Sequence, residues 1–245
     1  MGESITVTGM VLSAMPVGEY DKRLVILTRE RGKIAAFARG ARRMNSPFLA
    51  GSRPFSFGEF TLYEGRSSYT VSSVSISNYF VELANDFMGA LYGFYFVELA
   101  EYYTRENMDE SQMLKLLYQS FRALLNENIP NELVKVVFEL KTLTINGEYP
   151  QVFACAECGS TEDLQVFNVQ KGGILCRECH RNGGQVLSES AIYAMQFVIS
   201  SPIEKLYTFN VSEEVLAELK RTIEQFMRQY IDKNMKSLEI LKSMY

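Results

Sequence analysis

Along the first eighty residues apolar and polar positions alternate with a period near two, the mark of strands that bury one face. Ile5, Val7, Gly9 and Val11 interleave with Thr6, Thr8, Met10 and Leu12. A loop containing Pro and Gly, over 15–21, leads to a second run at 24–28. The turn Glu30-Arg31-Gly32-Lys33 then leads to a third run at 34–39, so these two predict a hairpin. After a connection over 40–54 come runs at 57–63, 67–71 and 74–77, the first two joined by a Glu64-Gly65-Arg66 turn. Five or six short strands in this length suit a small closed barrel. An OB-fold is the most economical choice, and an SH3-like barrel fits nearly as well.

From residue 80 the period becomes helical. The segment 81–105 is apolar nearly all round, which predicts a helix in the middle of a helical body. Leu114, Leu117, Tyr118, Phe121, Leu124 and Leu125 form a one-sided stripe on a second helix. A third opens at Asn131 as N-cap, with Glu132 behind it, and buries Leu133, Val136, Val137, Leu140 and Leu143. Gly147 and Pro150 stop it. Beyond a cysteine-bearing stretch, Ser188 caps a helix that Pro202 ends, and Ser212 opens a long amphipathic one. A last short helix covers 236–243. The fold class expected is α+β and multidomain. An OB-fold barrel spans 1–79, a helical bundle is split between 80–150 and 188–245, and a four-cysteine zinc ribbon at 151–187 is inserted in it.

Charge adds an asymmetry that the net value of −4 conceals. Residues 1–80 carry ten Lys/Arg against six Asp/Glu, and the remainder fifteen against twenty-three. Two modules of opposite sign suggest two kinds of partner. The N-terminus lacks the basic and apolar regions of a secretory signal. Gly2 and Thr6 satisfy a loose myristoylation pattern, which carries little weight because the segment reads as the first strand. The uncharged apolar stretch 87–97 is too short to span a bilayer. All four cysteines fall within 25 residues, which points to a metal cage in a cytoplasmic protein and away from a disulfide framework.

Cys155-x2-Cys158 and Cys176-x2-Cys179, separated by 17 residues, have the spacing of two zinc knuckles. Zn²⁺ takes four thiolates tetrahedrally, and each CxxC turn presents two sulfurs. A full set of four leaves no open coordination position, so the expected ion is structural, one per chain. His180, the single histidine, adjoins Cys179 and reads as a neighbour of the cage.

The densest positive cluster is Arg29, Arg31 and Lys33, then Arg39, Arg42 and Arg43, with Arg53 and Arg66 following. Phe37, Phe48, Phe55, Phe57, Tyr63 and Tyr69 interleave with it. Cations track phosphates while aromatic faces stack on bases, so this surface suits single-stranded nucleic acid. Most of these rings are needed to fill the barrel, and the hairpin cations equally suit a solvated turn. The Gly40-Ala41-Arg42-Arg43 connection has no evident folding role and is the stronger nucleic-acid candidate. No phosphate-binding glycine loop or nucleophile elbow occurs, and one histidine beside a metal cage leaves little for nucleophilic catalysis. A non-enzymatic role is expected.

Three groups of residues resemble the RecO DNA-repair proteins of bacteria. The first is Ala38-Arg39-Gly40-Ala41-Arg42-Arg43 followed by Pro54-Phe55. The second is Phe138-Glu139-Leu140-Lys141, Gly147, Pro150 and Cys155-Ala156-Glu157-Cys158-Gly159. The third is Lys236-Ser237. The resemblance runs through essentially the whole chain in order. It implies an OB-fold, a helical domain and a zinc ribbon. It also implies binding of single- and double-stranded DNA and annealing of strands coated with single-strand-binding protein. With RecR, such a protein helps to load RecA, without nucleotide hydrolysis. DNA contact would then fall to Lys33, Arg39, Arg42, Arg43, Arg53 and Arg66, with the protein cytoplasmic and nucleoid-associated when acting on DNA.

The resemblance further implies docking of the acidic, Phe-terminated tail of single-strand-binding protein on the helical domain. That chemistry needs an apolar groove beside a cation, and Lys135 and Lys141, flanking the stripe of the third helix, are the candidates. Two other classes fit the residues alone: an RNA-binding barrel-and-ribbon factor, and a protein adaptor with no nucleic-acid contact.

Overall fold

The computed structural model describes residues 4–66, 68–180 and 183–244. Gly2, of the myristoylation pattern, lies outside them. The chain divides into two compact units, 1–125 with 235–245, and 126–234.

In the first unit, β1 (Ser4–Val17), β2 (Asp21–Thr28), β3 (Gly32–Ala38), β4 (Phe57–Glu64) and β5 (Tyr69–Asn78) close an OB-like barrel in the order β1-β2-β3-β5-β4. All its pairings are antiparallel except β3 with β5. Val7, Val11, Leu24, Ile26, Ile34, Ala36, Phe60, Leu62 and Val71 fill it, as the alternation requires. β1 runs to Val17, so the expected loop shrinks to a tight turn at 18–20. The runs expected at 67–71 and 74–77 merge into one strand from Tyr69, residue 67 lying outside the described residues, and its register against β4 shifts between Thr61 and Leu62. A strand that turns a barrel corner through such a bulge breaks its own alternation, and so reads as two. Gly9 faces Gly58 across β1 and β4. A Cβ on Gly58 would stand 2.2 Å from the Ser75 carbonyl oxygen, so closure here depends on its absence.

The expected helix over 81–105 is two, α1 (Val81–Asn85) and α2 (Phe87–Tyr103), broken at Asp86, whose carboxylate accepts from Gly89 N at 2.8 Å. α3 (Ser111–Leu124) packs on α2. The barrel is bolted to these helices by two buried phenylalanines, Phe55 and Phe80. Their φ values of 75° and 47° lie in the left-handed region that side chains avoid. Phe55 meets Phe94 and Phe121 at centroid distances of 4.8 and 4.9 Å, and Phe80 meets Tyr118 and Phe121. Aromatic packing holds the strained backbone.

The second unit holds α4 (Asn131–Ile145), a small sheet of β6 (Leu164–Asn168), β7 (Gly173–Cys176) and β8 (Gln185–Val186), then α5 (Glu189–Ser200) and α6 (Glu213–Met227). Ser188 and Ser212 cap α5 and α6 as expected, accepting from Ala191 N and Val215 N. α4 begins one residue earlier than expected, taking in Asn131 and placing Pro130 in the N-cap position. The final helix, α7 (Lys236–Lys242), belongs to the first unit, where Glu98 of α2 accepts from Ser237 N at 2.9 Å. The expected segments 1–79, 80–150, 151–187 and 188–245 therefore do not coincide with the compact units. α1 to α3 and α7 group with the barrel, while α4 groups with the ribbon, α5 and α6. Amphipathic stripes show that helices pack, but not on which neighbour.

Candidate nucleic-acid interface and metal centre

The basic residues of the first unit separate into those the fold uses and those it leaves outside. Lys33 is used: its backbone N–H donates to the Arg105 carbonyl at 3.0 Å and its ammonium donates to the Glu101 carbonyl. A cation on the last carbonyls of α2 satisfies acceptors that no helical N–H can reach. The hairpin tip as a whole is docked there, for Asn107 N donates to the Arg31 carbonyl. Gly32, at φ 64°, leaves space where a Cβ would stand 2.2 Å from the Arg105 carbonyl oxygen. Lys33 thus clamps the barrel to the helix, a role that the sequence did not show.

The connection after β3 also has a folding role, contrary to expectation. Ala41 is fully buried in the barrel core, and Gly40 N donates to the Asp21 carboxylate at 2.7 Å. This pins the paired arginines against the β1–β2 turn. Arg42 Nη1 donates to the carbonyls of Gly18 and Glu19 at 3.2 and 3.1 Å, and the Arg43 guanidinium lies 5.0 Å over the Tyr20 ring. Lys22, at the start of β2, donates to the Ser52 carbonyl and hydroxyl at 3.2 and 3.0 Å. Burial lowers its pKa first, and the nearby charges of Arg53 and then Arg42 lower it further. Arg42 and Arg53 both lie within electrostatic reach of Lys22 and, beside the exposed arginine–tyrosine pair, form a positive surface on one end of the barrel. Arg39, Arg42, Arg43 and Arg53 are all exposed there, and Arg66 is exposed in the β4–β5 connection. Lys22 and Tyr20 were missed in the sequence. The only signal was a cation and a ring flanking an acidic turn residue, and their value depends on what folds across them.

Of the interleaved rings, Phe55, Phe57 and Tyr69 are committed inward. Phe57 lies 4.7 Å from Tyr118, and Tyr69 belongs to the barrel core. Tyr63 remains 45% exposed.

In the second unit the four cysteine sulfurs all lie within 4.8 Å of one another, and those of Cys158 and Cys176 are 3.7 Å apart. A tetrahedron of thiolates around zinc at 2.3 Å has edges of ~3.8 Å, so the cage has the right dimensions. Each knuckle is closed by a backbone bond, Gly159 N to the Cys155 carbonyl at 2.9 Å and His180 N to the Cys176 carbonyl at 3.1 Å. Burial opposes ionisation of Cys155, but N–H groups of Cys158, Cys176 and Glu157 outweigh it and hold the thiol at about 6. Cys179 is pushed upward, foremost by its hydrogen bond with the Cys158 thiol. Four adjoining sulfurs cannot all ionise without a cation between them, so the cluster can hold a metal ion.

The two lysines expected on α4 are not free. Lys141 is 7% exposed, and its ammonium donates to the carbonyls of Val198, Ile199 and Ser201 at 3.1, 3.0 and 2.7 Å. All three of its donors close the C-terminal end of α5. Lys135 pairs with the buried Glu139 at 2.8 Å. Lys141 is therefore corrected from a tail-binding cation to a helix cap.

Residues 1–80 match the model of the recombination protein O N-terminal domain, and residues 84–239 that of its C-terminal domain. The chain belongs to the RecO family. The DNA repair protein RecO of Acetivibrio thermocellus is 33% identical over 97% of this chain and 96% of that protein. The RecO proteins of Alkaliphilus metalliredigens and Clostridium novyi are 32% and 31% identical, over 97% and 94% of this chain and 98% and 91% of theirs. An OB-like barrel with a cluster of exposed cations is in keeping with a DNA repair family. Among the described residues no helix is long and apolar enough to cross a membrane.

Proposed function

We propose that this chain is a cytoplasmic recombination mediator that holds single-stranded DNA on the cationic end of its barrel. It anneals complementary strands coated with single-strand-binding protein and, with RecR, helps to load RecA, using no nucleotide. Duplex DNA is a second ligand of the same protein. The observation that carries this reading is the convergence of Lys22, Arg42 and Arg53 beside Arg39 and the Arg43–Tyr20 pair. Positive charge of this density, facing solvent around an exposed ring, suits phosphates flanking a stacked base. Contact with the acidic tail of single-strand-binding protein remains part of the reading, without Lys141. The cysteine cage holds one structural zinc ion. Four thiolates fill its coordination, so the ion staples the ribbon and supplies no open site.

The test times duplex formation between complementary oligonucleotides, each coated with the cognate single-strand-binding protein. The comparison is a variant with Arg39, Arg43 and Arg53 changed to Glu; Arg42 is spared because it also caps the β1–β2 turn. Acceleration lost in the variant supports the reading. Each phosphate contact on a single strand contributes ~0.7 to the salt slope, so losing three should flatten it by about 2. A wild-type protein that accelerates nothing would overturn the reading, and preference for RNA of equal length would redirect it.

A further inference from the structure

The cationic end of the barrel continues, through a chain of local contacts, onto the first part of α2, which carries no charge between Phe87 and Val97. Lys22 holds Ser52 by two hydrogen bonds, and Arg53 follows it with an exposed guanidinium. Two residues on, a span of at most ~7 Å, Phe55 is buried against α2. Its ring lies 4.8 Å from Phe94, and a Cβ on Gly93 would stand 3.0 Å from its Cζ. The segment from Ser52 to Phe55 therefore bridges β2 and the middle of α2. At that point α2 does not become polar. From Phe87 to Val97 it has no charged residue, and Phe87 and Phe94 are 64% and 45% exposed. Seven positions apart, they share one face two turns along the helix, roughly 10 Å from each other, so each ring can take a base of its own. Exposed phenyl rings on an uncharged face are costly to leave in water unless something covers them.

We propose that single-stranded DNA leaving the barrel past Arg53 runs onto α2 and stacks its bases on Phe94 and Phe87. The inference rests on the strand-binding reading above. Continuity with the cations favours nucleic acid as the occupant: the phosphates are held by Lys22, Arg42 and Arg53, while the helix face offers only stacking. Stacking on aromatic rings is indifferent to sequence, as a mediator acting on any broken chromosome requires. It also predicts a division of labour, in which the barrel end sets the salt dependence and α2 adds affinity that salt does not screen.

The experiment measures fluorescence anisotropy of labelled oligothymidylates with the full chain. One is about eight nucleotides long, within the span of a single OB-fold, and one is about three times longer. Phe87→Ala with Phe94→Ala should weaken the long oligonucleotide about ten-fold or more and leave the short one and the salt slope unchanged. Phe94→Trp, which keeps the ring contact with Phe55, should bind at least as tightly as wild type. Phe87→Ala alone removes a mostly exposed ring and should still weaken the long oligonucleotide. Unchanged affinity in the double variant, with wild-type binding intact and dependent on the arginines, would overturn this inference alone and leave the face to a protein partner. Failure of the wild type to bind either oligonucleotide would overturn the parent reading, and this inference with it.

Discussion

Lys141 offers the most direct test of the packing described for the second unit. Its ammonium is buried and donates to three carbonyls at 2.7 to 3.1 Å, where α5 ends at Ser200 before Pro202. Lys141→Met keeps most of the stem volume and removes the head. Hydrogen bonds to a charged group contribute about 1.5–3 kcal/mol each, but desolvating the ammonium offsets much of that sum. Methionine cannot donate, so the carbonyls of Val198 and Ile199 are left in an apolar setting. The expected cost is about 2–4 kcal/mol, set by those stranded acceptors. Because the two units need not unfold together, the readout is hydrogen exchange of α4 and α5 peptides, with barrel peptides as the internal standard. Protection of α5 should fall by about thirty- to a thousand-fold while the barrel stays unchanged. A variant within about five-fold of wild type would refute the reasoning, leaving the apolar stem as the part that matters. Burial holds the Lys141 pKa below the ordinary lysine value. The unfolded chain then binds more protons between that lowered value and the usual one, so this group's contribution to stability rises with pH across that window.

Further outcomes follow from the same contacts. Chelation, or Cys155→Ser and Cys176→Ser, should remove one zinc per chain, measured by metal analysis, and expose ribbon and α5 peptides to exchange; a metal-free chain with native exchange would contradict the cage. Gly58→Ala drives a Cβ to 2.2 Å from the Ser75 carbonyl oxygen. It should cost about 1–3 kcal/mol or prevent barrel closure, seen as loss of soluble protein or a lowered Tm. Ser212→Ala removes the cap at Val215 N and should cost ~1 kcal/mol, whereas Ser188→Ala should cost more because its hydroxyl also bonds Glu218 at 3.0 Å. Equal effects would argue that the Glu218 link is idle.

The residues expected to contact partners divide by a physical rule. Arg39, Arg43 and Arg53 keep exposed guanidinium groups, while Lys33 and Lys141 end on the last carbonyls of α2 and α5. A helix C-terminus presents acceptors without donors, and a lysine on a neighbouring element is a ready source. In the sequence Lys33 reads as a solvated turn cation and Lys141 as the exposed edge of a helical stripe. Their long stems let the charge travel to a carbonyl cluster that the linear pattern does not reveal.

What the sequence by itself determined is what short-range chemistry encodes. Period-two alternation marked the barrel strands, serine caps marked the starts of α5 and α6, and the CxxC spacing marked the metal cage. In each case the partners lie within a few residues, or the ligand geometry dictates the interval. The tertiary structure alone decided the rest: that α4 joins the ribbon while α7 returns to the barrel unit, that Phe55 and Phe80 adopt left-handed backbone to reach α2 and α3, and that Lys22 and Tyr20 complete the cationic surface. These depend on contacts between residues far apart in the chain. A hydrophobic stripe records that a face is buried, and only the packed structure records what buries it.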